Sequence, residues 1–354
     1  MKQLLTYSRM QSFKTCRKKH YWEYEVGIRR ECDSKALRMG TAGHMALDVL
    51  NRSKSSEEAE ALTEIQTYYS ICPATVDPYE WEIERETIEC LIAGYAWRWK
   101  NVDIEILSSE QQFQLPLLNQ TTGACSTIWE LAGKIDGIVC LEDGRKAVME
   151  HKFISDPIDD NSDFWKRLQI DNQISLYLYA ARKLHDDQVQ TVVYDVIRKP
   201  TIRPEQVPIL DSNGLKIVLD AAGNRVLTKQ GKPRQTADTA SGYVLQTRKM
   251  TPKEWEQKLL DDIGKRPEYY YARREIARLD SEIDEMMAEI WDIQKTIRDA
   301  QIKDRWYRTV SKDTCTWCPY FELCSSHYVP ESTIPEGFIK LENLHPELEM
   351  EKVP

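Results

Sequence analysis

The chain has 354 residues, 41% hydrophobic and 30% charged, the balance of an ordinary globular protein able to bury a substantial core. Its formal net charge is −9, so the surface as a whole repels nucleic acid, which must be met by a local basic patch or through bound cations. No run of about 18 apolar residues is present to span a membrane, the N-terminus MKQLLTYSRMQSFKTC lacks a signal-peptide core, and no G-x-x-x-x-G-K-[ST] stretch supports a P-loop motor. The expected setting is cytoplasmic, where the nine cysteines stay reduced.

In chain order, Ser8 with Gln11 reads as a capping box. It opens a helix that carries Phe13, Cys16 and Tyr21 beside a basic, aromatic surface of Lys14, Arg17, Lys18, Lys19, Trp22 and Tyr24. A second helix is expected from Lys35 to about Leu50, containing GTAGHMALDVL, and a third over residues 78–101. Three extended segments follow: Glu105–Leu118, Ile128–Leu141 with a bend at Gly133, and Arg145–Ile154. Asp143-Gly144 makes the hairpin turn between the last two. Residues 162–185 return to a helical period and 190–198 read as a strand, so the core is α/β.

Beyond it, the Pro- and Gly-rich stretch 199–245 predicts a hairpin insertion with a mobile tip at Thr236–Gly242. Ile276, Leu279, Ile283, Met286, Ile290, Ile293 and Ile297 form a heptad seam. That seam fits a helix packed on its own protein, or a protein partner or self-association through residues 276–297. An acidic, peripheral, partly ordered tail follows Pro330, and no internal repeat is read. The expected organisation is an N-terminal helix (1–36), a core (37–198), an insertion (199–250), a long helix with C-terminal cysteines (251–330) and the tail (331–354).

The chemistry concentrates on two strands. In GKIDGIV, Asp136 stands in an otherwise apolar strand; in VMEHKFI, Glu150 and Lys152 are two apart and share a face. Burying an acid and an amine on a central strand is costly unless they work, and Asp136 on the neighbouring strand completes a pocket for a hard divalent cation. A structural Asp–Lys–Glu ion-pair network is the alternative. Gln173 and Tyr177 share one helix face and can donate to a phosphate oxygen, or are ordinary helix surface. His44 sits on a small-residue helix able to approach the sheet. Near the C-terminus, CTWCPYFELC places Cys315, Cys318 and Cys324 within ten residues, three quarters of a thiolate site for zinc or iron–sulfur.

Taken in order, these residues resemble the PD-(D/E)XK nuclease superfamily, in its RecB-like branch, which shows a histidine, an Asp, an E-x-K strand and then Q-x-x-x-Y. Here those are His44, Asp136, Glu150 with Lys152, and Gln173 with Tyr177. Glu110 matches the additional acid that some members carry. The subset that includes AddB and the CRISPR-associated adaptation nucleases adds one cysteine before the core and three after it, spaced C-x2-C-x5-C. By this resemblance Cys16 joins Cys315, Cys318 and Cys324 around a 4Fe–4S cluster; a structural zinc is the alternative.

The resemblance implies a restriction-endonuclease-like core, a mixed central sheet flanked by helices with helical additions. It implies a metal-dependent deoxyribonuclease, an exonuclease on DNA ends or single strands, in DNA recombination or repair. Asp136, Glu150, the His151 backbone carbonyl and His44 would hold Mg²⁺ or Mn²⁺, an imidazole favouring manganese. Lys152 would activate the water and Gln173 with Tyr177 orient the phosphate. A non-catalytic DNA-binding or scaffold subunit that keeps the fold and its cluster, or zinc, is the rival reading.

Overall fold

The computed structural model describes residues 2–52, 58–102, 104–185, 188–326 and 333–348. After strand β1 (Gln3–Leu5), Thr6 rather than Ser8 caps helix α1 (Tyr7–Thr15), its hydroxyl accepting the Arg9 amide at 3.1 Å. The single basic helix expected from the sequence breaks at Cys16, which is extended. It resumes as α2 (Arg17–His20) and a π-helical turn over Tyr21–Val26, leading to strand β2 (Ile28–Arg30). The break has a tertiary cause: the Lys18 amide donates to the Tyr307 carbonyl at 3.1 Å instead of into a helical ladder.

Helices α3 (Lys35–Arg52), α4 (Glu58–Tyr68) and α5 (Pro78–Trp99) form one layer. Asp77 caps α5 through the Glu80 amide, with Pro78 preset for the first turn. A buried Arg38–Glu84 fork, 2.9 and 2.8 Å, fixes α3 to α5, and the Tyr69 hydroxyl donates to the same carboxylate at 2.8 Å. Helix α4, absent from the sequence reading, buries little beyond Ala61 and Ile65, too narrow a stripe to stand out.

The sheet is built from β3 (Glu105–Leu118), β4 (Cys125–Cys140) and β5 (Lys146–Ile154), then β6 (Val189–Arg198) after α6 (Asp163–Leu168) and α7 (Asn172–Leu184). β4 is one continuous strand through Gly133, which stands opposite Phe113, whose ring fills the space a side chain would need. The helical stretch 162–185 is two helices because Asp171 leaves the helix to cap α7, accepting the Gln173 amide at 2.8 Å.

The insertion folds as β7 (Gln206–Pro208), β8 (Val218–Leu219), β9 (Val244–Leu245) and β10 (Thr247–Lys249), with β7 pairing β10 and β8 pairing β9. It contains a short repeat that the sequence reading missed. LDSNGLK, LDAAGNR and LTKQGKP each make a tight turn in which Gly214, Gly223 or Gly231 donates back to Asp211, Asp220 or Thr228 at 3.0, 3.0 and 2.9 Å. All three glycines have φ between 73° and 82°, which a side chain rarely tolerates. The tip expected to be mobile is a 3-10 turn, Thr239–Ser241, capped by Asp238.

Helices α8 (Pro252–Lys265) and α9 (Pro267–Tyr270) lead to β11 (Tyr271–Ile276), which joins the sheet antiparallel to β6. The heptad seam is interrupted at its start: Ile276 ends β11 and Leu279 only caps α10 (Asp280–Lys303). The rest of the seam, Ile283, Met286, Ile290 and Ile297, is buried in the core beside α7 and α1. Ile293 is partly buried against the same core, and Leu279 is exposed. Short helices α11 (Lys312–Cys315) and α12 (Phe321–Ser325) carry Cys315 and Cys324, with Cys318 on the segment between them. The described part of the tail is docked: β12 (Phe338–Lys340) pairs with β2 and buries Phe338.

The sheet order is β1-β4-β5-β6-β11, with β3 on the other edge of β4. One face packs on α1, α7 and α10 through Trp129, Ile135, Leu178, Tyr194 and Met287; the other packs on α3, α5 and α8 through Leu47, Leu91, Ile197 and Trp255. The fold is the expected mixed sheet flanked by helices. Among the described residues no helix is long and apolar enough to cross a membrane.

Candidate active site

The site forms where β4 changes partner. β3 follows one edge of β4 throughout, while the other edge is shared by β1, at Trp129–Leu131, and β5, at Gly137–Cys140. Between those ladders β4 has an unpaired stretch that ends at Asp136. The Asp136 Oδ2 accepts the His151 amide of β5 at 2.8 Å.

On β5, Glu150 is buried and Lys152 half-buried, on one face as their spacing requires; Lys152 Nζ donates to Glu150 Oε1 at 2.6 Å. Glu150 Oε2 is buried with no partner. Burial, reinforced by the Asp136 charge, pushes the Glu150 carboxyl up to about 7, with Lys152 opposing. For Asp136 burial acts in the same sense, but His44, His151 and Lys152 outweigh it and hold the carboxyl below its usual range.

His44 reaches this point because α3 lies against β5 at Gly43, where a Cβ would sit 2.2 Å from the Phe153 ring. His44 Nδ1 is 3.6 Å from Asp136 Oδ1. Gln173 Nε2 donates to the Tyr177 hydroxyl at 3.1 Å. Burial raises the Tyr177 phenol well above its ordinary value, and the charges of Glu150 and Asp136 add to it. The six residues singled out on four elements therefore stand together. Glu110 lies on the adjoining strand at a φ of 49°, its carboxylate on Lys134 at 2.6 Å rather than on Asp136.

Several participants escaped the sequence reading. Asp195, fully buried beside His151 in the β5–β6 register, accepts the Tyr95 hydroxyl at 2.5 Å. It pairs with Arg273 at 2.9 Å and faces His151 Nδ1 at 3.4 Å. Burial works against that charge, yet Arg273 and His151 hold the carboxyl far below the usual range. An acid inside VVYDVIR was the same signal that exposed Asp136. Tyr194 stands level with Glu150 on β6, its hydroxyl buried without a partner. Tyr7 donates to Asp171 at 2.8 Å and accepts from Gln11 at 2.6 Å, which ties α1 to the start of α7; nothing in local sequence links residues 164 apart.

Asp136, Glu150 and His44 offer oxygen and imidazole donors of the kind a divalent cation takes, and one Glu150 oxygen is buried without a partner. Among the described residues no three His, Cys, Asp or Glu side chains are close enough to hold an ion as they stand. The Lys152 ammonium instead neutralises Glu150.

Cys16, Cys315, Cys318 and Cys324 line one cavity of about 170 Å³. The two chain ends are sewn together there. The Thr309 amide donates to Cys16 Sγ at 3.4 Å, the Tyr320 hydroxyl to the Ile28 carbonyl at 2.8 Å, and the Arg30 guanidinium to the Pro319 carbonyl at 3.0 Å. Cys32 stands apart, accepting from Arg38 at 3.7 Å.

The sequence profile of the PD-(D/E)XK nuclease superfamily matches residues 4–325, and the chain belongs to that superfamily. No curated protein matches the sequence. One similar solved structure is described as "Crystal structure of SSO0001". It is 11% identical, covers 82% of this chain and 85% of that one, and has a TM-score of 0.29, too low to carry an argument. Superfamily membership supports a nuclease, of a kind that generally uses Mg²⁺ or Mn²⁺.

Proposed function

We propose that this chain is a metal-dependent deoxyribonuclease of the RecB-like branch, an exonuclease acting on DNA ends or single strands, and that it carries a 4Fe–4S cluster. The observation that carries the reading is Glu150: buried, one oxygen on Lys152, the other unpartnered, beside Asp136 where two strands part. Lys152 answers one oxygen, and the other, buried without a partner, is costly as it stands and would be satisfied by a bound divalent cation.

Asp136, Glu150, the His151 backbone carbonyl and His44 would hold Mg²⁺ or Mn²⁺, which when bound supplies positive charge for the phosphate and an acidified water. Lys152 Nζ holds a proton between Glu150 and the reaction zone; it orients the attacking water and meets charge developing on the phosphate. Gln173 and Tyr177, already hydrogen-bonded to each other, direct their donors at a phosphate oxygen.

Cys16, Cys315, Cys318 and Cys324 would hold the cluster, whose role is structural because hydrolysis transfers no electrons. Four thiolates that line one cavity support a shared site, and a structural zinc is the alternative occupant.

The test is cleavage of labelled single-stranded DNA in Mn²⁺ and in EDTA, by the parent and by Lys152→Ala. The parent should cut only with metal. The variant should be slower by roughly 10²–10⁴-fold while binding DNA almost as well. Parent-like cleavage by Lys152→Ala removes that residue from the mechanism, and a parent that binds but never cuts supports the scaffold reading.

A further inference from the structure

A cavity of about 940 Å³ opens between the first turns of α3 and α5, the Ser155 end of β5 and the base of the insertion. That is near the upper end of the roughly 300–1,000 Å³ range of ligand pockets. It adjoins the catalytic groups through two shared elements. Ser155 is three residues past Lys152, about 10 Å at the rise of a strand. Met39, in the lining, is five residues before His44, about 7.5 Å of helix.

The lining is cationic. Lys35, Lys199, Arg203 and Lys249 all face it, and of its two carboxylates Glu205 is already taken by Lys258 at 2.6 Å, leaving Glu80. Burial lowers the Lys199 pKa, and the nearby Lys35 charge adds to that while Glu84 opposes it. Lys199 is anchored by donating to the Ala36 carbonyl at 3.1 Å, and Lys249 Nζ lies 4.4 Å over the Tyr79 ring. The excess extends beyond the cavity: residues 199–250 hold nine Lys or Arg against four Asp or Glu, net +5, in a chain of net −9. The insertion whose base forms one wall is thus a net-positive segment of an acidic chain.

Trp317 also lines the cavity, and it is 88% exposed. An indole in water has lost the apolar contacts that usually justify it, and its flat face is what an unpaired base stacks upon. It sits between Cys315 and Cys318, so the loop that holds the cysteines also aims this ring.

Resting on the nuclease reading above, we propose that this cavity is the subsite for single-stranded DNA. Lys35, Lys199, Arg203 and Lys249 take successive phosphates, and Trp317 stacks on an unpaired base. The strand then passes along β5 and α3 to the catalytic groups. The cysteine site is thereby tied to substrate: it sets the position of the stacking residue. Paired bases present no free face to Trp317, so the subsite selects single strands over duplex.

The experiment is fluorescence anisotropy with a fluorescein-labelled oligothymidylate and a duplex of the same length, using the full chain with its cysteine site loaded, in EDTA. Binding is read without turnover, so it does not depend on whether the strand is cut; cleavage by the parent in Mn²⁺ reads the nuclease activity separately. The parent should prefer the single strand. Trp317→Ala should weaken that binding on the order of tenfold, the size of one lost base stack, with Trp317→Phe recovering most of it. Arg203→Glu, remote in sequence from the cysteines, should weaken it too and lower the salt slope by about one. Parent-like affinity in both Trp317→Ala and Arg203→Glu overturns the proposal. So does an equal loss for duplex and single strand in Trp317→Ala, which would mean that the change disturbed the cysteine loop and not a stack.

Discussion

The amide of His151 donates to the Asp136 carboxylate at 2.8 Å, one step beyond the last rung between β4 and β5, Gly137 with Met149. A side chain replaces a backbone acceptor where the strands part, and the parting makes room for the site. Asp136→Asn keeps an acceptor but loses the charge, so it should be inactive and lose only the modest stabilisation that the charge contributes. Asp136→Ala should be inactive and less stable by about 1–3 kcal/mol, because the His151 amide loses its partner. Urea denaturation of the two variants checks this; equal stabilities would mean that the hydrogen bond contributes nothing.

His44 Nδ1 lies 3.6 Å from Asp136 Oδ1. If the imidazole is a ligand, cleavage should favour Mn²⁺ over Mg²⁺ and His44→Ala should narrow the difference. Parallel titrations of both metals decide it. Identical curves for parent and variant would take His44 out of the metal site.

Cys16 and Cys315 are separated by 299 residues in sequence and line one cavity. Bridging them restricts the unfolded chain by roughly 5 kcal/mol on loop-closure scaling, comparable with the roughly 5–15 kcal/mol net stability of a domain. If these thiols hold the proposed cluster, Cys16→Ser should be pale, lose iron and melt well below the parent, while Asp136→Asn stays brown. Full iron content in Cys16→Ser, measured anaerobically, would place the fourth ligand elsewhere.

Asp195 pairs with Arg273 at 2.9 Å in a fully buried position. Its carboxyl is depressed in the folded state, so the unfolded chain takes up this proton first. The stabilisation is present above the unfolded value, near 3.9, and is lost as pH falls toward the folded one. Asp195→Asn leaves Arg273 uncompensated and should cost about 3–5 kcal/mol at pH 7. The difference in melting temperature from the parent should shrink between pH 5 and pH 3. A gap that stays constant across that range would show that the charge of Asp195 is not what stabilises the fold.

Ile290 is buried in the core on α10. Ile290→Ala should destabilise the protein by about 2–5 kcal/mol, with the same loss at low and high protein concentration. A loss that grows on dilution would instead assign the seam to a contact between copies.

The residue pattern alone carried the chemistry of the core. Asp136, Glu150 and Lys152 stand out because charges inside apolar strands are rare, and strand periodicity puts the last two on one face. It also carried the cysteines, since a dense thiol spacing has few other uses. Tertiary structure decided the rest. The break at Cys16 follows from the bond of Lys18 to Tyr307, and the split of residues 162–185 from the cap by Asp171, neither visible in a helical period. The heptad spacing describes an apolar stripe but not its partner, which proved to be this protein's own α7 and α1. Asp195 and Tyr194 acquire meaning from the β5–β6 register, and Trp317 from a cavity walled by segments more than 200 residues apart. Local sequence encodes which groups are costly to bury or expose; long-range packing alone determines what they meet.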